Sequence, residues 1–350
     1  FSMSIGNTVK LVDIGRFTRQ LAAMTSAGLP LVQCMDILAN QTENKILAQA
    51  VRQVSLDIQG GNSLADALKK HPKIFNNLYC NMVAAGESSG NLDGVLVRLA
   101  EYQEKANALV RKVKGAMMYP IILLIVAVGA TSILLTFIVP KFVSMFIEFG
   151  SELPMPTMVV MKLSDILREY FLLLVASLAG FIIFINRYHK TARGAYVLDS
   201  ILLKIPILGD LQRKSSISRF SQTLSTLLNS GINILNALSI TAKTAGNMVL
   251  EKGILVTIEK ITGGQSIAAP LQETGLFPPM VTHMIAVGEK TGDITGMLSK
   301  ISTFYEEEVD AAVEALTSIL EPLMIVVLGI IIGGILVAMY LPMFDMIDAM

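Results

Sequence analysis

Residues Gly86-Glu87-Ser88-Ser89-Gly90-Asn91-Leu92-Asp93-Gly94 return as Gly288-Glu289-Lys290-Thr291-Gly292-Asp293-Ile294-Thr295-Gly296, with the glutamate and all three glycines in register. Moving outward, Arg16-Phe17 pairs with Arg219-Phe220, Gly28 with Gly231, Gly60-Gly61 with Gly263-Gly264 and Ser63 with Ser266, all 203 positions apart. Past Phe75 and Phe277 the offset is 202, and it still pairs Pro120 with Pro322, Pro140 with Pro342 and Phe142 with Phe344. A period this long marks duplicated domains, because solenoid repeats are far shorter. A residue that performs chemistry can differ between two such copies, whereas one that builds the module recurs.

The chain has 350 residues, 53% of them hydrophobic and 16% charged. It is too apolar for an ordinary water-soluble protein and too charged to lie wholly in lipid. Ile121 to Val139 and Leu323 to Leu341 are uncharged, and each is long enough to cross a hydrocarbon layer roughly 30 Å thick. Phe171 to Ile185, extended by Ile166, Leu167 and Tyr170, supplies a third span with charges at its flanks. Both duplicated spans then cross in the same direction.

Basic residues set the orientation. Arg111, Lys112 and Lys114 precede the first span and Arg187, Lys190 and Arg193 follow the second, while Glu148, Glu152, Asp165 and Glu169 lie between them. By the positive-inside rule the two repeated modules are cytoplasmic, and the tail with Asp345 and Asp348 is outside. The reading is an all-α membrane protein: two homologous cytoplasmic helical bundles, about six helices each, plus three transmembrane helices. Its divisions are residues 1–119, the bundle of repeat 1; 120–140, the first membrane helix; 141–167, an external hairpin; and 168–186, the second membrane helix. Residues 187–321 are a linker and the bundle of repeat 2, 322–342 the third membrane helix and 343–350 a short external tail.

Inside each module the spacing is helical. Ile14, Phe17, Leu21 and Met24 share one face, and Phe220, Leu224 and Leu227 repeat it. Gly28 and Gly231 are placed as left-handed caps, and Pro30 is placed to open the next helix. A third helix is expected from about Glu43 to Ile58, and Ser63 should cap a short helix reaching Leu68. The last helix places Leu92, Val95, Leu96, Leu99 and Tyr102 on one stripe; its partner uses Ile294, Met297, Leu298, Ile301 and Tyr305. Pro120 and Pro322 then predict bends where each long helix enters the membrane, since an interior proline removes a helix hydrogen bond.

Several catalytic and ligand readings fail on these residues. Gly86-Glu87-Ser88-Ser89-Gly90 has the lettering of a nucleophile elbow, but Met82 to Ala85 read as helix rather than strand and copy two carries Lys290 at the serine position. The better reading is a corner: Gly86 and Gly90 (Gly288 and Gly292) permit a tight turn, Asn91 or Asp293 caps the next helix, and Glu87 or Glu289 lies near that helix's start. Gly288-Glu289-Lys290-Thr291 lacks the spacing of a phosphate-binding loop. His71, His189 and His283 have no metal-ligand spacing, and Cys34 and Cys80 become Ala237 and Thr282 in copy two, so both are read as packing residues. With zero formal net charge and no basic stripe interleaved with aromatics, nucleic acid is not an expected partner. No cofactor, metal or catalytic residue is expected.

The spans hold Thr131, Ser132, Thr136 and Ser177 but no intramembrane carboxylate or base of the kind that marks an ion path. Gly129, Gly180, Gly329, Gly333 and Gly334 either allow close helix packing or reflect the glycine tolerance of membrane helices. Phe1 in place of a methionine suggests a trimmed start, and no signal peptide is visible.

Arg16-Phe17 through Ala27-Gly28-Leu29-Pro30-Leu31, the Gly86 to Gly90 turn, Tyr119-Pro120 before a span and Lys204-Ile205-Pro206-Ile207-Leu208-Gly209 ahead of Arg219-Phe220 resemble one family over nearly the whole chain. It is the inner-membrane platform proteins of type II secretion and type IV pilus machines, the GspF and PilC type. Thr18-Arg19-Gln20-Leu21-Ala22 and Gln41 look more like the pilus branch. The resemblance implies a non-enzymatic, multi-pass protein of the bacterial inner membrane, its hairpin and tail periplasmic. It also implies a homo-oligomer working with a cytoplasmic hexameric ATPase, pilin subunits and other inner-membrane assembly proteins, coupling the ATPase to insertion or removal of pilin at the filament base. The alternative is a membrane transporter or channel with regulatory cytoplasmic helical domains.

Overall fold

A computed structural model describes residues 9–148 and 154–348, and no strand occurs among them. Phe1, Glu152 and the last two residues of the expected tail lie outside the described residues, as do the side chains of Pro342, Phe344, Asp345 and Asp348. The first module comprises α1 (Leu11–Ser26), α2 (Leu31–Gln41), α3 (Lys45–Gln59), α4 (Leu64–Lys69), α5 (Asn77–Ser89) and α6 (Leu92–Ile133). A π-helical turn (Leu134–Ile138) joins α6 to α7 (Val139–Glu148), followed by α8 (Met155–His189) and α9 (Ala192–Lys204). The second module repeats the six: α10 (Leu208–Asn229), α11 (Ile234–Thr244), α12 (Met248–Thr262), α13 (Ala268–Glu273), α14 (Pro279–Thr291) and α15 (Ile294–Asp348).

These helices start and stop for local reasons. At the end of α1 the Leu29 N–H donates to Met24 O (3.1 Å) and the Gly28 N–H to Thr25 O (2.9 Å), a Schellman closure that holds Gly28 at φ 81°. Copy two reproduces it with Gly231 at φ 79°. Helix α3 begins at Lys45, where the Asn44 side chain accepts from the Ile46 and Leu47 N–H groups at 3.1 and 3.2 Å.

The chain divides into two compact units, Phe1–Lys112 with Tyr196–Asp310, and Val113–Ala195 with Ala311–Met350. In the first unit both modules share one hydrophobic core built from matching positions. Phe17, Leu21, Ala39, Leu68 and Leu96 are buried in copy one, as Phe220, Leu224, Ala242, Leu271 and Leu298 are at the matching positions of copy two. Phe17 meets Phe75 at 5.9 Å between ring centroids and Phe220 meets Phe277 at 4.9 Å. Burying one such ring stabilises the fold by about 2 to 3 kcal/mol.

The second stripe of the last helix is one residue out of register with its sequence reading. At the 202 offset Tyr102 matches Phe304, and the buried Tyr305 matches Gln103. In copy one the Thr18 hydroxyl lies 3.2 Å from both the Tyr79 hydroxyl and Gln103 Oε1. Copy two has Ser221, Val281 and Tyr305 at those places, so an aromatic ring occupies the position of a buried polar cluster.

Among the described residues, three helices are long and apolar enough to cross a membrane, with mean hydropathies of 2.8, 2.0 and 2.8 over their most apolar stretches. Within the expected hairpin over 141–167, α7 ends at Glu148 and α8 is already under way at Met155. Lys162, Asp165 and Glu169 of this part of α8 are exposed. The opposite stripe, Thr157, Val160, Met161, Ser164 and Leu167, is apolar or small at helical spacing and packs around Leu135, Val139, Val143, Ile335 and Met339.

In the π-turn the Val139 N–H reaches back to Leu134 O, five residues away. The neighbouring carbonyls accept side-chain bonds from α8, Leu135 O from the buried Ser164 hydroxyl and Thr136 O from the Arg168 guanidinium. The buried Thr157 hydroxyl donates to Ala338 O on α15. Helix α8 is thereby fastened to both other spans at one end. A methyl group placed on Gly129, Gly180, Gly329, Gly333 or Gly334 would meet no atom within 4 Å, so these glycines do not bring the spans of one chain together.

Candidate functional site: the repeated glycine-glutamate corner

In each copy the recurring residues tie three helices together. Gly90 ends α5 in the left-handed region (φ 70°) and Gly292 does the same for α14 (φ 79°). Gly86 and Gly288 lie inside the helices, one turn earlier, where a neighbouring backbone comes close. A Cβ on Gly86 would sit 3.1 Å from Leu92 Cα, and one on Gly288 would sit 2.9 Å from Ile294 Cα. So Gly90 and Gly292 turn the chain, and Gly86 and Gly288 let the next helix fold back against it.

The glutamate serves a different helix from the one its sequence position suggests. Glu87 Oε1 accepts from the Leu64 N–H at 2.6 Å and Oε2 from the Ala65 N–H at 2.9 Å, at the start of α4. Ser63 Oγ takes the Asp66 N–H at 3.1 Å and Ser63 O the Ala67 N–H at 3.0 Å, so the four donors of the first turn of α4 are all satisfied. In copy two Glu289 accepts from the Ile267 and Ala268 N–H groups at 2.5 and 3.1 Å. There the residue matching Ala67 is Pro270, which has no N–H to satisfy. A short helix cannot hold its own end, and a carboxylate 21 to 23 residues later does so through two charge-assisted bonds and the helix dipole. Asp293 caps α15 through the Gly296 N–H at 2.9 Å.

This arrangement spends both carboxylate oxygens on backbone donors. The Ser88 hydroxyl is turned back onto Ala84 O at 2.8 Å within α5. Both cysteines are buried and free, and burial pushes their thiols up from the ordinary range.

The two arginines of the repeat-start helices diverge. Arg16 is exposed, beside a cleft of about 270 Å³ lined by Asp13, Gln20, Gln41 and Glu43. Arg219 is largely covered, donating to Ser215 O and Oγ at 3.3 Å, and loss of hydration lowers its pKa. Pro120 and Pro322 belong to the other unit, inside α6 and α15, whose helical assignment runs through both prolines.

Sequence reading did not find the contacts between the modules. The Thr223 hydroxyl lies 3.2 Å from the Tyr102 hydroxyl, Arg98 donates to Asn229 O, Lys105 pairs with Glu306 at 3.3 Å, and Lys112 pairs with Asp310. A signal was present: α10 carries Ser215, Ser216, Ser218, Ser221, Thr223 and Ser225, small polar residues on several faces, and all are buried. A helix that is covered all round and still polar is one enclosed by other backbone.

Fold and corner together define a duplicated helical scaffold joined to membrane-spanning helices. The family model of type II secretion system (T2SS) protein F matches residues 17–140 and again 220–342. The chain is 46% identical to the type IV pilus assembly protein PilC of Myxococcus xanthus, over 96% of this chain and 81% of that one. It is also 46% identical to PilC of Thermus thermophilus, over 97% and 84%. Against the type II secretion system protein F of Vibrio cholerae the identity is 32%, over 97% and 83%. The chain belongs to the type II secretion system protein F family.

Proposed function

We propose that this chain is the inner-membrane platform of a type IV pilus machine, passing the work of a cytoplasmic hexameric ATPase to pilin subunits that enter or leave a filament. The observation that carries the reading is the build of the two long helices. Each starts at a corner braced by Gly86 and Glu87, or by Gly288 and Glu289, and continues as helix into an apolar span. A continuous helix transmits displacement along its axis, and a proline where it meets lipid provides a compliant joint at Pro120 and Pro322.

The basic flanks favour cytoplasmic modules, with the connection between the first two spans and the C-terminal tail periplasmic. The higher identity to PilC proteins than to secretion-system F proteins favours the pilus branch. In this reading the protein acts as a homo-oligomer among other inner-membrane assembly proteins and has no turnover of its own.

The test uses site-specific photo-crosslinkers in residues 1–115 and 215–310 of the full chain in intact cells. Capture of the ATPase is expected. If no position captures it while the purified protein moves a solute across liposomes, the protein is a transporter and the platform reading fails.

A further inference from the structure

Because the chain is a duplication, the contact between its two modules can be compared with what the same surfaces do in their other copies. Copy one contributes its α5/α6 side to this contact: α5 packs against α11, and Tyr102 and Arg98 of α6 reach Thr223 and Asn229 of α10. The reciprocal pair, α2 with α14, shows no comparable packing. The contact therefore joins two different surfaces and leaves one half of each kind unused.

Both unused halves are open. On α10, Thr223 is 0% and Gln222 9% exposed; the matching residues on α1, Gln20 and Arg19, are exposed, as are Arg16, Ala23 and Ser26 along the same face. On the other side Tyr102 is partly covered, whereas its counterpart Phe304 is 41% exposed; Ala85 is partly covered and its counterpart Val287 is 48% exposed. Two large apolar side chains thus stand in water where copy one makes a contact.

We infer that the α14/α15 side of one chain docks on the α1/α2 side of a second copy, repeating between chains the contact that joins the two modules within each. The match is chemical as well as positional. By the repeat, Phe304 takes the place of Tyr102 and faces Gln20, and Lys300 takes that of Arg98 and reaches the carbonyl end of α1 at Ser26. Glu307 takes the place of Lys105 and arrives beside Glu104, which is paired with Arg19 in a cleft also lined by Arg16 and Arg111. Three guanidinium groups around one carboxylate leave positive charge for a second carboxylate to neutralise. Such an interface is head-to-tail. The inference deepens the self-association in the proposed function and does not depend on the ATPase or on pilin.

The test is disulfide trapping in membranes, with the native thiols replaced as copy two replaces them, Cys34→Ala and Cys80→Thr. Two differently tagged full chains are co-expressed, one with Gln20→Cys and the other with Phe304→Cys. A mixed-tag disulfide is expected, and a single chain carrying both substitutions should give a ladder of multimers. Tyr102→Cys with Thr223→Cys serves as the reference and should close within one chain. Absence of the mixed product while the reference pair closes overturns the inference, as does equally efficient pairing between two Gln20→Cys chains, which would mean a two-fold contact. Failure of the reference pair also overturns it, because the contact being repeated would not exist. Capture of ATPase or pilin is no part of the readout, so this result stands or falls separately from the platform reading.

Discussion

Glu87 reaches back 23 residues to accept the Leu64 N–H at 2.6 Å, and its second oxygen takes the next N–H along α4. One side chain on α5 thus holds the start of α4. Glu87→Ala leaves two N–H groups without an acceptor and is expected to cost about 2 to 3 kcal/mol, with Glu87→Gln intermediate. Glu289→Ala should behave alike. Thermal unfolding of the detergent-purified chain measures this, and equal midpoints for Glu87→Ala and the parent would refute the brace.

The corner glycines should differ in a set order. A methyl at Gly288 would lie 2.9 Å from Ile294 Cα and one at Gly86 3.1 Å from Leu92 Cα, both against backbone, whereas one at Gly94 would meet only the Asn91 side chain. Alanine at Gly288 and at Gly86 should therefore each cost about 1 to 3 kcal/mol, with Gly288 the worse. At Gly94, Asn91 moves aside and alanine's better helix propensity offsets the loss. The same unfolding assay ranks the three.

Tyr79 is fully buried and its phenol is pushed well above the ordinary value, first by loss of hydration, against a smaller opposing effect from its bond to Thr18. A group whose folded pKa is raised leaves stability intact below its unfolded pKa near 10 and drains it as pH rises from there. The first bundle should become base-labile above about pH 10. Tyr79→Phe should be weaker by about 1 kcal/mol at neutral pH through the lost hydrogen bond, yet less sensitive to base. Unfolding midpoints at pH 8 and above 10 test this, and parallel pH curves would contradict it.

Ser164→Ala removes the hydroxyl that satisfies Leu135 O beside the π-turn. In apolar surroundings an unpaired carbonyl costs about 1 to 2 kcal/mol, so the second unit should loosen while the bundles hold. Limited proteolysis near α7 in detergent should speed up. Uniform acceleration over both units would place the effect elsewhere.

Ser88→Ala should change neither stability nor assembly beyond about 0.5 kcal/mol, since its hydroxyl only returns to Ala84 O within α5. Any hydrolytic turnover lost with that substitution would reverse the reading of the corner.

The sequence by itself determined what is local or periodic. Gly28 and Gly231 stop helices, Ser63 caps one, Phe17 and Phe220 take matching places in the core, and runs of apolar residues set three spans, because helix ends and faces depend on residues within a few positions of each other. Comparing two copies in one chain also separated the builders from the rest, since Ser88 becomes lysine while its flanking glycines stay.

Tertiary structure decided what depends on residues far apart in sequence. Glu87 looked like the charge of the helix beginning just after it, and only the folded chain brings Leu64 and Ala65 to its oxygens. The acids Asp165 and Glu169 marked the stretch before residue 168 as external, and only the folded chain shows Thr157 and Ser164 bonded to carbonyls on other helices. Arg16 and Arg219 are the same letter at the same repeat position, one in water and one partly covered beside Ser215, Gly246 and Tyr102. Identical local sequence fixes a helix and its inward face; whether the outward face meets water or another helix depends on what is packed beside it.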